Sequence, residues 1–267
     1  MTRFANSNGV RIAYETHGSG DPVLLIMGFG APRQAWITQI PALVERFHVI
    51  ALDNRNAGES EVTPNCTMQL MAADAMAVLD AEGLDSAHVV GLSMCGMIAQ
   101  HVALEYPERV RSLSLCTTTC GGPNAVQAAP DVLAGLMGMQ GASLTDPQAL
   151  EKFGWILFPR DWLAANSASL QKAMAPLLGV PRPPMAAVQA QLMAILSHNT
   201  YERLPAIAHR TLVLHGTDDV LIPPGNANVL ASQLQNHRLE WIPGSGHGFN
   251  FQEPETFNRI LIDFLSA

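Results

Sequence analysis

Short, uninterrupted apolar runs recur along the chain and are separated by helical patterns. The runs are "VLLIM" at 23–27, "HVIAL" at 48–52, "HVVGL" at 88–92, "LSLC" at 113–116 and "TLVLH" at 211–215. Strands that are apolar throughout, instead of alternating with polar residues, are typical of parallel strands covered by helices on both faces. The alternation of strands and helices therefore predicts an α/β fold with a doubly wound, mostly parallel sheet flanked by helices.

Three helical patterns lie between these runs. The first covers roughly residues 33–46, with Pro41 as a candidate break. The second runs from Met68 to Glu82 and ends at Gly83, a residue that commonly follows a helix C-terminus. The third begins at Cys95 and must end near residue 106, because the proline at 107 disfavours a helical residue before it.

The strand–helix alternation stops between residues 119 and 205. This stretch has several helical patterns and few strand signals, and Gly or Pro residues fill the gaps. We therefore predict a helical cap at 119–205 inserted into an α/β core formed by 1–118 and 206–267. Its large apolar residues either pack the cap onto the core or line an apolar pocket for a ligand. The residues in question are Met137, Met139, Met174, Met185, Met193, Trp155, Phe158 and Trp162.

Composition and charge exclude several classes of partner. The formal net charge is −8 and Lys and Arg do not cluster, so we expect no nucleic-acid binding. No apolar stretch approaches the ~18 residues of a membrane span, and the N-terminus lacks a signal-peptide pattern. The four cysteines form no pair of Cys-x-x-Cys units, which fits a reducing cytoplasm and predicts neither a metal site nor a cofactor.

A candidate nucleophile lies in "GLSMCG", residues 91–96, between an apolar run and a helical pattern. Gly91 and Gly96 allow a sharp turn from strand to helix, which would present Ser93 beside free backbone N–H groups at the helix N-terminus. The usual pattern is Gly-x-Ser-x-Gly, whereas this chain has Cys95 at the last position. Taken alone, the motif is more typical of a serine that caps a helix.

A serine nucleophile needs a base and an acid that orients the base, and both types of residue follow in the chain. His247 lies in the glycine-rich segment "GSGHGF", after the apparent strand "LEWI". Asp218 and Asp219 follow the run at 211–215. Either aspartate could reach the histidine, and we favour Asp219. The order Ser, Asp, His is the one expected for serine hydrolases built on such a sheet.

Ester hydrolysis also requires donors for the oxyanion that develops in the transition state. The segment "GFGAP" at 28–32 follows the first apolar run, and its glycines allow a backbone N–H to point into a cleft. We predict that the N–H groups of Phe29 and Met94 are the two donors.

Several segments together resemble the α/β-hydrolase superfamily along almost the whole chain. They are "YETHGSGDPVLLIMGFG", "LDNRNAGES", "HVVGLSMCGMIAQHVALEYPERVRSLSL", "LVLHGTDDVLIP" and "GSGHGFNFQEP". The resemblance implies Ser93 as nucleophile, His247 as base and Asp219 as orienting acid, since the family's aspartate falls three residues after the strand-end glycine, here Gly216. Within the superfamily the chain resembles small bacterial serine esterases and enol-lactonases of the 3-oxoadipate type.

Two positions depart from the family pattern. Asn56 stands in "DNRNAGES" where the family usually has glycine, and asparagine is well suited to replace glycine at positive φ. Cys95 replaces the last glycine of the serine motif, at a position expected to pack closely against a neighbouring strand. Cysteine is small and often buried, so we expect the turn to survive with modest adjustment.

The leading hypothesis is a serine hydrolase that cleaves a carboxylic ester or lactone of a moderately apolar small molecule through an acyl-enzyme. A second hypothesis keeps Ser93, His247 and Asp219 but assigns C–C bond hydrolysis of ring-fission products. A third is a ligand-binding protein of the same fold without turnover. A nucleophilic role for Cys95 is disfavoured, because a residue inside the helix would point away from the cleft.

Overall fold

The structure, a computed structural model, describes residues 1–138 and 145–267 and contains one eight-stranded sheet. The strands are β1 (Arg3–Ser7), β2 (Val10–His17), β3 (Asp21–Ile26), β4 (Phe47–Leu52), β5 (Ala87–Leu92), β6 (Val110–Cys116), β7 (Thr211–Gly216) and β8 (His237–Ile242). Their order in the sheet is β1-β2-β4-β3-β5-β6-β7-β8. Only the β1–β2 and β2–β4 pairs are antiparallel, which confirms the predicted α/β fold with a mostly parallel sheet.

The five apolar runs form five of the inner parallel strands. In β5 all six residues are buried, as expected for a strand covered on both faces. Strands β1 and β2 were not predicted from the sequence, because their residues are partly exposed and more polar. A signal was present, since Asn8 and Gly9 join these strands with φ values of 51° and 87°, and Asn-Gly is a strong hairpin signature.

The helices flank the sheet and fill the stretch between β6 and β7. They are α1 (Ile40–Leu43), α2 (Met68–Ala81), α3 (Met94–Glu105), α4 (Pro130–Gly138), α5 (Pro147–Phe153), α6 (Arg160–Met174), α7 (Met185–Leu196), α8 (Gly225–Gln233), α9 (Phe249–Gln252) and α10 (Pro254–Leu265). The bounds of α2 and α3 agree with the predicted helices to within one residue.

The predicted helix at 33–46 was wrong. The structure has a 3₁₀ turn at Arg33–Trp36, followed by the single-turn helix α1. Pro41 lies in the first turn of α1, where the missing N–H costs nothing, so this residue begins a helix instead of interrupting one.

Two apolar cores cover the two faces of the sheet. On one face, α2 and α3 bury residues such as Met71 and Ile98 against the strands. On the other face, α10 contributes Phe257 and Leu261 to a second cluster around Trp36. The apolar stripe of α10 is buried, while the strands between the layers are covered on both sides. This arrangement is the doubly wound architecture, and it leaves the carboxyl ends of the strands free to form a site.

The chain leaves the sheet after β6 and returns before β7 through a narrow junction, here termed the cap neck: Cys120, Gly121, Asn199 and Thr200. Gly121 pairs with Asn199 in an isolated antiparallel bridge, and the Thr200 N–H donates to the Cys120 carbonyl at 2.9 Å. Helices α4 to α7 lie between these two crossings. The exact cap boundaries, 119–205, stay a prediction.

The large apolar residues of the predicted cap have different environments. Phe158 and Met174 are buried in one apolar cluster, Trp162 packs against that cluster, and Trp155 packs against a second one. Three methionines are exposed to solvent: Met137, Met185 and Met193. Met139 lies outside the described residues.

In the described ranges, 1–138 and 145–267, no helix combines the length and apolarity needed to span a bilayer.

Candidate active site

Ser93 lies on a strained turn between β5 and α3. Its φ and ψ are 60° and −125°, which is unusual for a residue with a side chain, and such strain is concentrated at functional sites. A Cβ at position 91 would lie 2.1 Å from the Cys95 carbonyl oxygen, and one at position 96 would lie 2.5 Å from the Thr118 side chain. Gly91 and Gly96 are therefore required for the close packing of this turn.

The structure brings three of the predicted site residues into one hydrogen-bonded chain. His247 Nε2 lies 2.9 Å from Ser93 Oγ, and His247 Nδ1 lies 2.9 Å from Asp219 Oδ2. Asp219 and His247 are both buried. The other candidate acid, Asp218, is exposed, and its Oδ1 accepts a hydrogen bond from the Thr217 hydroxyl. The geometry thus selects Asp219 as the partner of the histidine.

The Asp219 carboxylate is held by several donors. Oδ1 accepts the N–H groups of Leu221 and Ile222, both at 2.9 Å, and Oδ2 also lies 3.4 Å from His215 Nε2. Burial would raise the pKa of Asp219, but the electrostatic interaction with His247 and the hydrogen bonds from His215 and His247 outweigh it and hold this pKa below its ordinary value. The carboxylate is therefore fixed as an anion that directs the His247 ring.

Thr117, which the sequence reasoning did not single out, also contacts this carboxylate. Its hydroxyl donates a short hydrogen bond to Asp219 Oδ2, and Oγ1 lies 3.2 Å from His247 Nδ1. The φ of Thr117 is 46°, a strained value for a β-branched residue. The only signal in the sequence was its place directly after β6, at the same edge of the sheet as the serine and the aspartate.

A turn at residues 28–31 follows β3 and approaches the serine. The Ala31 N–H donates to the Gly28 carbonyl at 3.2 Å, and the Gly30 N–H donates to Gln191 Oε1 at 2.9 Å. A Cβ at position 28 would lie 3.3 Å from the Ser93 Cβ, so the turn is close to the serine. In the part of the chain that the structure describes, the N–H of Phe29 has no hydrogen-bond acceptor.

Met94, the other predicted donor, is the first residue of α3. The N–H groups of a first helical turn have no acceptor within their own helix, and they carry the positive end of the helix dipole. Because β3 and β5 are hydrogen-bonded neighbours, the turn after β3 and the start of α3 lie side by side at the edge of the sheet. The two predicted donors therefore lie at the same edge of the sheet as Ser93.

The two departures from the family pattern fit the structure. Asn56 has a φ of 68°, the positive value expected of a residue that replaces glycine. Cys95 is fully buried, and its thiol donates to the Met27 carbonyl at 2.6 Å, while Asn54 Nδ2 lies 3.0 Å from the sulfur. Burial raises the pKa of the Cys95 thiol, so it stays protonated. A buried, neutral thiol that faces Met27 lacks the thiolate character that a cysteine nucleophile needs.

Residues of the predicted cap contact both neighbours of His247. The Gly248 N–H donates to the Leu157 carbonyl at 2.8 Å. A Cβ at position 248 would lie 2.4 Å from the Phe158 ring, and one at position 246 would lie 2.5 Å from the Leu157 carbonyl oxygen. The loop that carries His247 is thus packed directly under the cap.

The sheet topology and the strained serine at the carboxyl end of β5 define an α/β protein with an elbow-type serine site. A family model described as "alpha/beta hydrolase fold" matches residues 21–254, and the chain therefore belongs to the α/β-hydrolase family.

Known proteins resemble this chain over almost its full length. The protein of Caulobacter vibrioides that is named as the carbamate hydrolase RutD is 33% identical over 261 residues, which cover 95% of each chain. A thermophilic esterase from Thermogutta terrifontis has a TM-score of 0.82 and 26% identity, covering 100% of this chain and 98% of its own. The enol-lactonase from Burkholderia xenovorans LB400 shares the fold, with a TM-score of 0.81, 22% identity and coverage of 99% and 100%. The family, together with the carbamate hydrolase and esterase relatives, supports hydrolase activity.

Proposed function

We propose that the protein is a serine hydrolase that cleaves a carboxylic ester or lactone of a moderately apolar small molecule through an acyl-enzyme. The observation that carries this proposal is the continuous chain from Ser93 Oγ to His247 Nε2 and from His247 Nδ1 to Asp219 Oδ2, with both distances at 2.9 Å. Asp219 keeps the proton of the imidazole on Nδ1, which leaves Nε2 free to accept the serine proton.

The proposed reaction uses this geometry. Ser93 Oγ attacks the substrate carbonyl while His247 takes the hydroxyl proton, and the N–H groups of Phe29 and Met94 stabilise the oxyanion. Collapse of the tetrahedral intermediate expels the alkoxide, which His247 protonates. Water, activated by the same histidine, then attacks the acyl-enzyme and releases the acid.

The surroundings of the site favour an apolar substrate. Phe29 in the 28–31 turn, Leu157 above the histidine loop and Leu221 beside Asp219 are half-buried apolar residues. Side chains of this kind gain free energy when a ligand covers them, by about 25 cal/mol for each Å² of apolar area removed from water.

Labelling with a fluorophosphonate probe, followed by mapping of the modified peptide, tests the nucleophile. We expect labelling at Ser93 and its loss in Ser93→Ala, together with a fall in kcat of about 10⁴-fold or more. Labelling at another residue, or a Ser93→Ala variant with normal turnover, would refute the mechanism.

A substrate panel tests the bond that is cleaved. Nitrophenyl esters of increasing acyl length, a lactone, an aryl carbamate and a vinylogous diketone are compared by kcat/KM. The proposal expects esters or lactones to be cleaved fastest. Faster cleavage of the diketone would favour C–C hydrolysis. Faster cleavage of the carbamate would favour carbamate hydrolysis, the activity in the name of the RutD relative. Labelling without turnover would favour a ligand-binding protein.

A further inference from the structure

Gln191 is a buried polar residue on α7, within the predicted cap. Its exposed fraction is 0%, and the same face of the helix carries Ala187 and Ala194, one turn before and after it, which are also buried. A polar amide inside such a small, apolar face is costly unless its hydrogen bonds are made. The partners of Gln191 therefore explain why it is there.

Both ends of the Gln191 amide bind backbone groups of the core. Oε1 accepts the Gly30 N–H at 2.9 Å, and Nε2 donates to the Arg55 carbonyl at 2.8 Å. One partner is a donor and the other an acceptor, so only one orientation of the amide satisfies both. Gly30 follows β3 and Arg55 follows β4, two neighbouring strands, so Gln191 links α7 to two loops at the carboxyl edge of the sheet.

The bond to Gly30 determines which N–H groups of the 28–31 turn are free. Gly30 has a φ of 63°, and the Ala31 N–H is already bonded to the Gly28 carbonyl. With the Gly30 N–H bonded to Gln191 and the Ala31 N–H bonded to Gly28, the Phe29 N–H remains available to donate to an oxyanion. Without this acceptor, the Gly30 N–H would be an unbonded donor beside it, and the turn would lose a contact that fixes its peptide planes.

We propose that Gln191 is a positioning residue through which the cap holds the 28–31 turn in line with Ser93. This inference rests on the proposed serine-hydrolase function and adds a role for a cap residue that does not touch the substrate carbonyl. The cap then sets the oxyanion geometry as well as covering the site. A small displacement of a preorganised donor lowers the rate of the chemical step more than it lowers substrate binding.

The test replaces Gln191 by methionine, which has a similar length but neither hydrogen bond. We expect Q191M to lower kcat about 10–100-fold with KM changed less than about threefold, because one misplaced oxyanion donor affects the transition state selectively. The rate of fluorophosphonate labelling at Ser93 should fall in parallel. The burst of product from an activated ester gives the concentration of active sites. Rates are expressed per active site, so that misfolded protein does not contribute.

Three further variants separate positioning from general stability. Gln189 lies on the exposed side of α7, and Q189M, the matched control, is expected to retain wild-type kcat. Q191N keeps the amide on a shorter side chain and should lose about as much as Q191M. Burial favours a neutral carboxyl in Q191E. That carboxyl can accept from Gly30 and donate to Arg55, so Q191E is expected to recover most of the loss.

Each outcome decides the inference. A wild-type kcat in both Q191M and Q191N, or an effect confined to the melting temperature, would overturn the proposed role of Gln191. If Ser93 is still labelled in that case, the proposed function remains valid. A Q191E variant as slow as Q191M, although folded, would also count against it. If the wild-type protein is not labelled at Ser93, the proposed function fails and the inference fails with it.

Discussion

The carboxyl edge of the sheet and the predicted cap are built by different means. At the edge, polar side chains lie close together and are hydrogen bonded: Ser93 to His247, His247 to Asp219, and the Thr118 hydroxyl to the Ser93 carbonyl at 2.7 Å. In the cap, apolar clusters around residues such as Phe158 join the helices. Hydrogen bonds thus fix the side chains at the edge in one arrangement, whereas apolar packing holds the helices of the predicted cap together.

The strongest test of the edge is Asp219→Asn, which keeps the shape of the side chain but favours the wrong tautomer of His247. We expect kcat to fall about 10⁴-fold. The matched control is Asp218→Asn at the exposed neighbouring aspartate, which should retain activity. Steady-state kinetics with a nitrophenyl ester measure both, and equal losses in the two variants would contradict the assignment of the acid.

His198, the residue directly before the cap neck, provides a test that concerns stability instead of catalysis. His198 is 3% exposed and lies 5.4 Å from the ring of His101, which is paired with Glu105. Burial, with the nearby His101, lowers the pKa of His198 from 6.5 to about 3. Between these two pH values the unfolded chain binds the additional proton, so the free energy of unfolding decreases as pH falls below about 6.5.

We expect this free energy to be lower at pH 5 than at pH 7 by about 1–2 kcal/mol through His198. The measurement is urea unfolding at both pH values for the wild type and for His198→Leu. The leucine variant should lose that part of the pH dependence. If the free energy of unfolding of His198→Leu changes between pH 5 and pH 7 as much as that of the wild type, His198 is not the source of the pH dependence.

Thr117→Val tests the hydrogen bond between Thr117 and Asp219, because valine keeps the shape of threonine and removes the hydroxyl that donates to Asp219. A hydrogen bond to a charged group contributes about 1.5–3 kcal/mol, so kcat should fall at least about 10-fold with little change in KM. Thr117→Ser, which restores the hydroxyl, is the control and should recover most of the activity. A serine variant as slow as the valine variant would show that the loss of the hydroxyl is not the cause.

The smallest effect is expected for Cys95→Ala. The thiol is buried and faces Met27, and Asn54 Nδ2 still donates to the Met27 carbonyl at 2.8 Å without it. We expect kcat within about threefold of the wild type, because Cys95 does not contact the reacting atoms. The same ester assay measures this variant, and a loss comparable to that of Ser93→Ala would refute Ser93 as nucleophile.

Much of the fold could be predicted because the inner strands have a strong local pattern. The five apolar runs, the bounds of α2 and α3 and the sharp turn at Ser93 depend on residues that are neighbours in the chain. The hairpin of β1 and β2 was missed because partly exposed strands carry a weaker apolar signal. The helix predicted at 33–46 was wrong because a helical apolar pattern does not reveal that Pro41 begins a new helix.

The class of fold, the candidate site residues and their order along the chain follow from the sequence alone. Strand periodicity and glycine turns are local properties, and the Ser, Asp, His order can be read directly along the chain. The resemblance already favoured Asp219 over Asp218, and the fold places Asp219 against His247. The contact of Thr117 with the same carboxylate, and the bond from Gln191 to Gly30 across 161 positions, became visible only in three dimensions. These contacts depend on how strands and helices distant in sequence are brought to one edge of the sheet, and no local pattern encodes them.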